Sequence, residues 1–425
     1  MSRIKLVVVT LIVAATVPSL VRAQTWILQA DRIYTGPDAP PLDGGQITIV
    51  GDKIDRVAGL SQKPASSNTR KAPQCDGGIA MAGFQNSHVH FTSDDFVDAR
   101  RRPAASLTQA LERLLTQYGF TTAFDITSDR DNTLALQARI GNGEVRGPRV
   151  LTVGLPLFPP HGLPVYVSHF PKELLDKMPQ PDSVDQARAV VRENAMAGTR
   201  ATKLFLATPQ GNRTTKRMSI EIAGAAVEET HRRGQLVFAH PTDLEGVQMA
   251  LDVGVDILAH PPLGAPAPWP EPLMRQLRER RVSMIPTLKL LEFELAKEKV
   301  PPETANRILL STVSEFGKFA TAGGDILFGT DIDYMTDYDP SREYELLAQA
   351  GMTPMQILAS LTTAPAARWN EQRHRGRLTA GMDADIVVLD ADPAADPRNF
   401  AKVRCAIRAG EVIYSRAPRG SPAEP

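Results

Sequence analysis

Aromatic residues are scarce in this chain. Phe, Trp and Tyr make up 6% of its 425 residues, so no large stacking surface points to a substrate class. An excess of charge of either sign is also missing. Lys+Arg and Asp+Glu are both 48, which removes the usual argument for nucleic acid or an anionic membrane surface. Beyond the first 23 residues no hydrophobic run approaches the length of a bilayer span. Nucleotide-binding signatures are absent too. No G-x-G-x-x-G follows the first strand of the main body, and no G-x-x-x-x-G-K-[ST] occurs anywhere, which weakens the case for a doubly wound open sheet. Cysteine is limited to Cys75 and Cys405. A bridge between them is chemically open after export, and two buried free thiols are the alternative.

What is present is an ordinary globular composition, 42% apolar and 23% charged, on a chain long enough for one large domain and a smaller one. Residues 1–23 read as a signal peptide. Arg3 and Lys5 give a positive start, Leu6 to Val17 is uncharged, and Val21-Arg22-Ala23 suits a cleavage site. An uncleaved anchor is the alternative. Cleavage removes three basic residues and no acidic one, and a periplasmic or secreted protein follows.

Residues 24–78 predict short strands and turns, with a polar loop over 61–74. From Ile79 to about residue 370, strands alternate with helices. Eight strands are counted, beginning before His88 and continuing at Phe120–Ile126, Arg149–Val153, Ala201–Leu206, Leu236–Ala239, Val255–Ala259, Val282–Leu288 and Ile326–Phe328. Repeated β-α units of this number predict an α/β fold, a (β/α)8 TIM barrel. Residues 371–415 return to strands, and they are expected to join residues 24–78 in a small β-sandwich domain built from both ends of the chain. Residues 416–425 are expected to be a disordered tail.

In such a barrel, chemistry sits at the C-terminal ends of the strands. His88 and His90 end the first strand, two residues apart and therefore on one face. Lys203 lies on the fourth, His240 and His260 end the fifth and sixth, and Asp331 follows the eighth. Each has a bland reading: a solvated strand-end charge, a helix cap, a satisfied polar residue. Together on one rim they suit zinc or a similar divalent ion, which imidazole and carboxylate bind. Two metals close together need a bridging ligand. Cationic lysine is a poor ligand, but its adduct with CO2 is a carbamate with two oxygens that can bridge.

This arrangement resembles the amidohydrolase superfamily, most closely its binuclear members related to imidazolonepropionase and Xaa-Pro dipeptidases. The motifs are Ala82-Gly83-Phe84-Gln85-Asn86-Ser87-His88-Val89-His90, Lys203, His240, His260 and Gly329-Thr330-Asp331, with Gly376-Arg377-Leu378, Gly381, Ala384 and Asp385 near the end. The resemblance implies His88, His90 and Asp331 on one metal, His240 and His260 on the other, and carboxylated Lys203 across both. It departs in having Ala82 where Pro is usual and Asn86 where Asp is common. Pro also follows both His240 and His260.

The reaction this implies is hydrolysis of an amide, in a dipeptide or an N-acyl amino acid, by a metal-activated hydroxide with Asp331 as general acid and base. A lactone, ester or cyclic amide hydrolase with the same site is the nearest competitor. A deaminase and a non-catalytic ligand-binding barrel are further ones. The expected partner is a small-molecule substrate, and a homo-oligomer stays open. Loops after the strands should set specificity. His161, Tyr166 and His169 after the third strand are candidates for substrate contact or oxyanion stabilisation, against simple packing of the loop. Arg213 and Lys289 are candidates for a substrate carboxylate. His231 and His374 read as structural.

Overall fold

A computed structural model describes residues 25–59, 70–71, 74–167, 172–210 and 214–416. The signal segment expected over residues 1–23 lies outside the described residues, as does all but the first residue of the expected tail.

The chain opens with β1 (Thr25–Ile33), β2 (Leu42–Val50) and β3 (Lys53–Gly59), an antiparallel meander. The short β4 (Arg70–Lys71) and β5 (Ile79–Ala82) both run parallel to β1. The chain then enters the α/β body. Its parallel strands are β6 (Phe84–Val89), β7 (Phe120–Asp125), β8 (Arg149–Thr152) and β9 (Ala201–Phe205). A small hairpin, β10 (Ala207–Pro209) and β11 (Thr215–Arg217), leads to β12 (Leu236–His240), β13 (Ile257–Leu258) and β14 (Ser283–Met284). The chain ends with β15 (Ile386–Leu389), β16 (Val403–Arg408) and β17 (Glu411–Ser415).

The strands from both chain ends form one mixed hydrogen-bonded sheet in the order β17-β16-β15-β5-β1-β2-β3. The reason is β5, which pairs with β1 on one side and β15 on the other. Trp26, Leu28, Ile47, Ile386, Val388 and Ile407 belong to its core. A Cys75–Cys405 disulfide crosses it, with Cα atoms 5.3 Å apart.

The α/β body is of the TIM-barrel type. Its strands fall into two parallel sheets, β6-β7-β8 and β14-β13-β12-β9. Single links join them: Arg200 N–H donates to Thr152 O, Leu157 bridges Leu204, Met284 bridges Ile326, and Ser87 N–H donates to Phe328 O. The eighth strand is reduced to an extended segment with one bridge, at Ile326. The period of two along each strand divides the side chains. Ala201, Phe238, Ile257 and Ala259 meet in one interior cluster. The intervening Leu204, Val237, Ala239 and Leu258 pack against the surrounding helices.

Helices alternate with the strands, with one correction. The seventh strand does not reach Leu288. It stops at Met284, and Leu288–Lys297 is a helix, rich in Leu, Glu and Lys, that starts from a left-handed Thr287 (φ 41°). After the last strand of the body come two short helices, Pro354–Leu361 and Thr363–Arg368, separated at Thr362 (φ −132°). Among the described residues no helix is long and apolar enough to cross a membrane.

Candidate metal centre and active site

His88 is presented by β6 and His90 follows its last residue. The first strand is locked to the loop after the eighth. Asn86 Nδ2–H donates to Thr330 Oγ1 (2.8 Å), and the N–H of Asp331 donates to the carbonyl of His88 (2.9 Å). Gly329 is required here, because a Cβ would lie 2.4 Å from Ile285 Cγ2 and 2.8 Å from His88 Cβ. Asp331 itself sits in the left-handed region (φ 58°), a conformation Asp tolerates better than most residues. Asn86 is therefore a clamp between strands rather than a ligand.

The imidazoles are fixed from behind. His88 Nδ1 is 3.0 Å from the carbonyl of Ala259, and His90 Nδ1 is 2.8 Å from the carbonyl of Thr127. A carbonyl only accepts, so in both rings Nδ1 carries the proton and, in the neutral ring, Nε2 offers a lone pair inward. His260 Nδ1 is held by Thr287 Oγ1 at 2.8 Å. The three Nε2 atoms converge on Asp331. They lie 3.4 Å (His88) and 3.6 Å (His260) from Oδ2, and 2.8 Å (His90) from Oδ1. Donor atoms of His88, His260 and Asp331 fall within 4.8 Å of one another.

Asp331 Oδ1 is buried and has no hydrogen-bond partner. Lone pairs of neutral imidazoles facing a carboxylate at these distances repel unless a cation or a proton lies between them. The donor set fits a divalent ion by this test, and imidazole with carboxylate is the set zinc takes.

Burial shapes the titration of the cluster. It lowers His88 to about 4 and His240 to about 3, and it pushes His260 well down. For His90, burial acts the same way, but the facing Asp331 carboxylate outweighs it and holds the ring above its ordinary value. Asp331 is opposed by its own burial, yet the facing His88 and His90 keep it well below the carboxylate range. Lys203 is 1% exposed, and burial lowers it to about 7 against the pull of Asp331. Its ammonium has no carboxylate within salt-bridge distance among the described residues; its Nζ lies 5.2 Å from the centre of the Phe205 ring.

His88, His90, Lys203, His240, His260 and Asp331 all line one cavity of about 570 Å³. Its walls are largely apolar, with Phe158 stacked on Phe205 (4.4 Å) and Phe205 on His240 (5.0 Å). Of the residues expected to touch substrate, Tyr166 lines this cavity and packs edge-on to Tyr334 at 5.8 Å. His161 is exposed and outside the lining. Lys289 is also outside it, because its ammonium is tied to Asp337 Oδ2 (2.8 Å) and the carbonyl of Asp339 (2.7 Å). His169 and Arg213 lie outside the described residues.

Sequence reasoning missed the polar end of the cavity. Tyr334 O–H donates to Glu294 Oε1 (2.7 Å), and Lys297 Nζ donates to Tyr334 Oη (2.8 Å). Glu294 and Lys297 belong to the Leu288–Lys297 helix, whose first residue reads as the end of a strand and whose remainder the sequence reading assigns to no element. The available signal was Phe293 and Lys297, four apart and hence on one helical face.

The amidohydrolase family model matches residues 79–413. A curated relative, ochratoxinase of Aspergillus niger, is 23% identical over 419 residues, covering 89% of this chain and 84% of that protein. Among solved structures, a Xaa-Pro dipeptidase with bound methionine superposes with a TM-score of 0.77 at 20% identity, over 92% of this chain and all of that one. A structure described as a prolidase of Bifidobacterium longum gives 0.74 at 24% identity, over 93% and 96%. These likenesses carry the fold.

Proposed function

Because the chain belongs to the amidohydrolase family, we propose that it is an exported, metal-dependent hydrolase of small amides, dipeptides or N-acyl amino acids. The enzyme acts on carbon–nitrogen bonds. The observation that carries the reading is the convergence of three imidazole Nε2 atoms, of His88, His90 and His260, on the buried Asp331 carboxylate. His88, His90 and Asp331 would hold one divalent ion and His240 and His260 a second, zinc being the metal this donor set favours. Lys203, as a carbamate, would span both. Its low pKa supports this, since only the neutral amine reacts with CO2. When bound, such ions supply Lewis acidity and lower the pKa of water toward about 7.

The chain's own residues do the rest. Asp331 stays ionised in the buried site, so it can take a proton from the attacking water and return it to the leaving nitrogen. Phe158, Phe205 and Tyr166 enclose the substrate and exclude solvent, which strengthens every charge interaction at the rim. The apolar walls favour an amide with a bulky apolar side chain. Export rests on the pattern of residues 1–23, and the buried disulfide suits an oxidising compartment.

The test is amine release from a panel of dipeptides and N-acyl amino acids, with added Zn2+ and a Lys203→Ala control. Release by the wild type alone supports amide hydrolysis at this site. No release from metal-loaded protein would remove the peptidase assignment and direct the search to lactones, esters and cyclic amides.

A further inference from the structure

Thr287 stands where a helix-capping threonine would stand, yet it does not cap. It precedes the Leu288–Lys297 helix, and its side chain accepts none of the first-turn N–H groups. Threonine at this position normally does so, at a gain of about 1 kcal/mol. Here its Oγ1 is engaged with His260 Nδ1. The residue is fully buried and held at φ 41°, a conformation a β-branched residue rarely takes.

The missing cap comes from another helix. Glu343, on Ser341–Gln349, accepts from the N–H of Leu288 (3.0 Å) and of Lys289 (2.7 Å), one to each carboxylate oxygen. It is 0% exposed. Burial raises it to about 7, and the two N–H groups pull it back. A buried carboxylate is a costlier cap than the threonine already in place. The exchange makes sense if the threonine hydroxyl is needed elsewhere. Arg342, on the same helix as Glu343, adds a further tie to Glu292 on the Leu288–Lys297 helix, and Lys289 is tied to Asp337 in the segment before Ser341.

We propose that Glu343 is a positioning residue for the metal centre: it caps the Leu288–Lys297 helix in place of Thr287 and so frees the Thr287 hydroxyl to orient His260. The inference rests on the reading above that His260 binds a divalent ion. Groups that orient a metal-binding imidazole are worth about 10–100-fold in metal affinity. Glu343→Gln retains one acceptor but turns an NH2 toward the other N–H, so Thr287 is drawn back to its own helix.

The experiment is Co2+ titration of metal-stripped full-length protein, read by dissociation constant and by the visible spectrum of the bound ion. Thr287→Val should bind about 10–100-fold more weakly with an altered spectrum, and Thr287→Ser should bind as the wild type does. Glu343→Gln should weaken binding in the same direction. The double variant Thr287→Val/Glu343→Gln should be no weaker than Thr287→Val alone, because both act through one hydroxyl. Arg342→Met, which loosens the same helix pair without touching Thr287, should leave affinity and spectrum unchanged. If Glu343→Gln does not fold, Glu343→Asp carries the same comparison with the charge kept. Wild-type affinity in the Glu343 variant, additive losses in the double variant, or an equal loss in Arg342→Met each overturns the inference. A wild type that binds no Co2+ overturns the metal-centre reading itself, so the two failures are distinct.

Discussion

Lys203 should cost the metal-free fold more than any other residue of the site. It is 1% exposed, and burial lowers its pKa from 10.5 to about 7. A displacement of that size corresponds to roughly 5 kcal/mol. The sign follows from proton counting. Between about pH 7 and 10.5 the unfolded chain holds the Lys203 proton and the folded chain does not, so stability rises with pH across that window. The penalty is therefore full below pH 7 and gone near pH 10.5. Lys203→Met removes the amine and fills the space with an unbranched apolar side chain. The metal-stripped variant should be more stable than metal-stripped wild type by up to about 5 kcal/mol at pH 6, and by about 2 kcal/mol at pH 9. Urea denaturation at the two pH values, after chelation, measures both gaps. Restoring Zn2+ should stabilise the wild type and not the variant. A variant less stable than wild type at pH 6, or a gain that does not narrow at pH 9, would refute the reasoning.

Three further outcomes are expected. The Cys75–Cys405 bond closes a loop with a sequence separation of 330, so reduction, or Cys75→Ala with Cys405→Ala, should cost about 2–5 kcal/mol; an unchanged urea midpoint under reductant would contradict this. Lys289→Met should lower the thermal midpoint and leave KM within about twofold, because the ammonium braces Asp337 and Asp339 outside the cavity; a KM raised about tenfold would return Lys289 to substrate binding. Asp331→Asn keeps the shape of the side chain but cannot shuttle a proton, so kcat should fall about 10²–10⁴-fold with the fold intact, and a loss below tenfold would remove it from proton transfer.

The rim of the barrel is legible in the sequence because strand periodicity and chemistry coincide there. His240 and His260 each end an apolar β run, Lys203 lies within another, His88 and His90 alternate at the end of the first strand, and Asp331 follows Gly-Thr after the last. The body of the small sheet is not legible in the same way. Strand patterns at both chain ends mark a β unit, but whether its strands make one sheet or two depends on β5 pairing on both edges, which no local pattern encodes. The Leu288–Lys297 helix is hidden because Val282, Met284, Ile285 and Leu288 read together as a strand pattern, whereas the strand stops at Met284 and the helix starts from a left-handed Thr287, a residue type that rarely adopts that conformation. Lys289 illustrates the limit for single cations. A lysine after a barrel strand is a fair candidate for a substrate carboxylate until Asp337 and Asp339, 48 and 50 residues on, are seen to hold it.

The central claim is that amide hydrolysis here depends on divalent ions held by these six residues. Its most direct test is amine release by metal-stripped protein as Zn2+ is added back in measured equivalents. The account predicts no release at the start, a rise with each addition, and a break near about two equivalents per chain. Full activity in the stripped protein, or a rate indifferent to added metal, would contradict it.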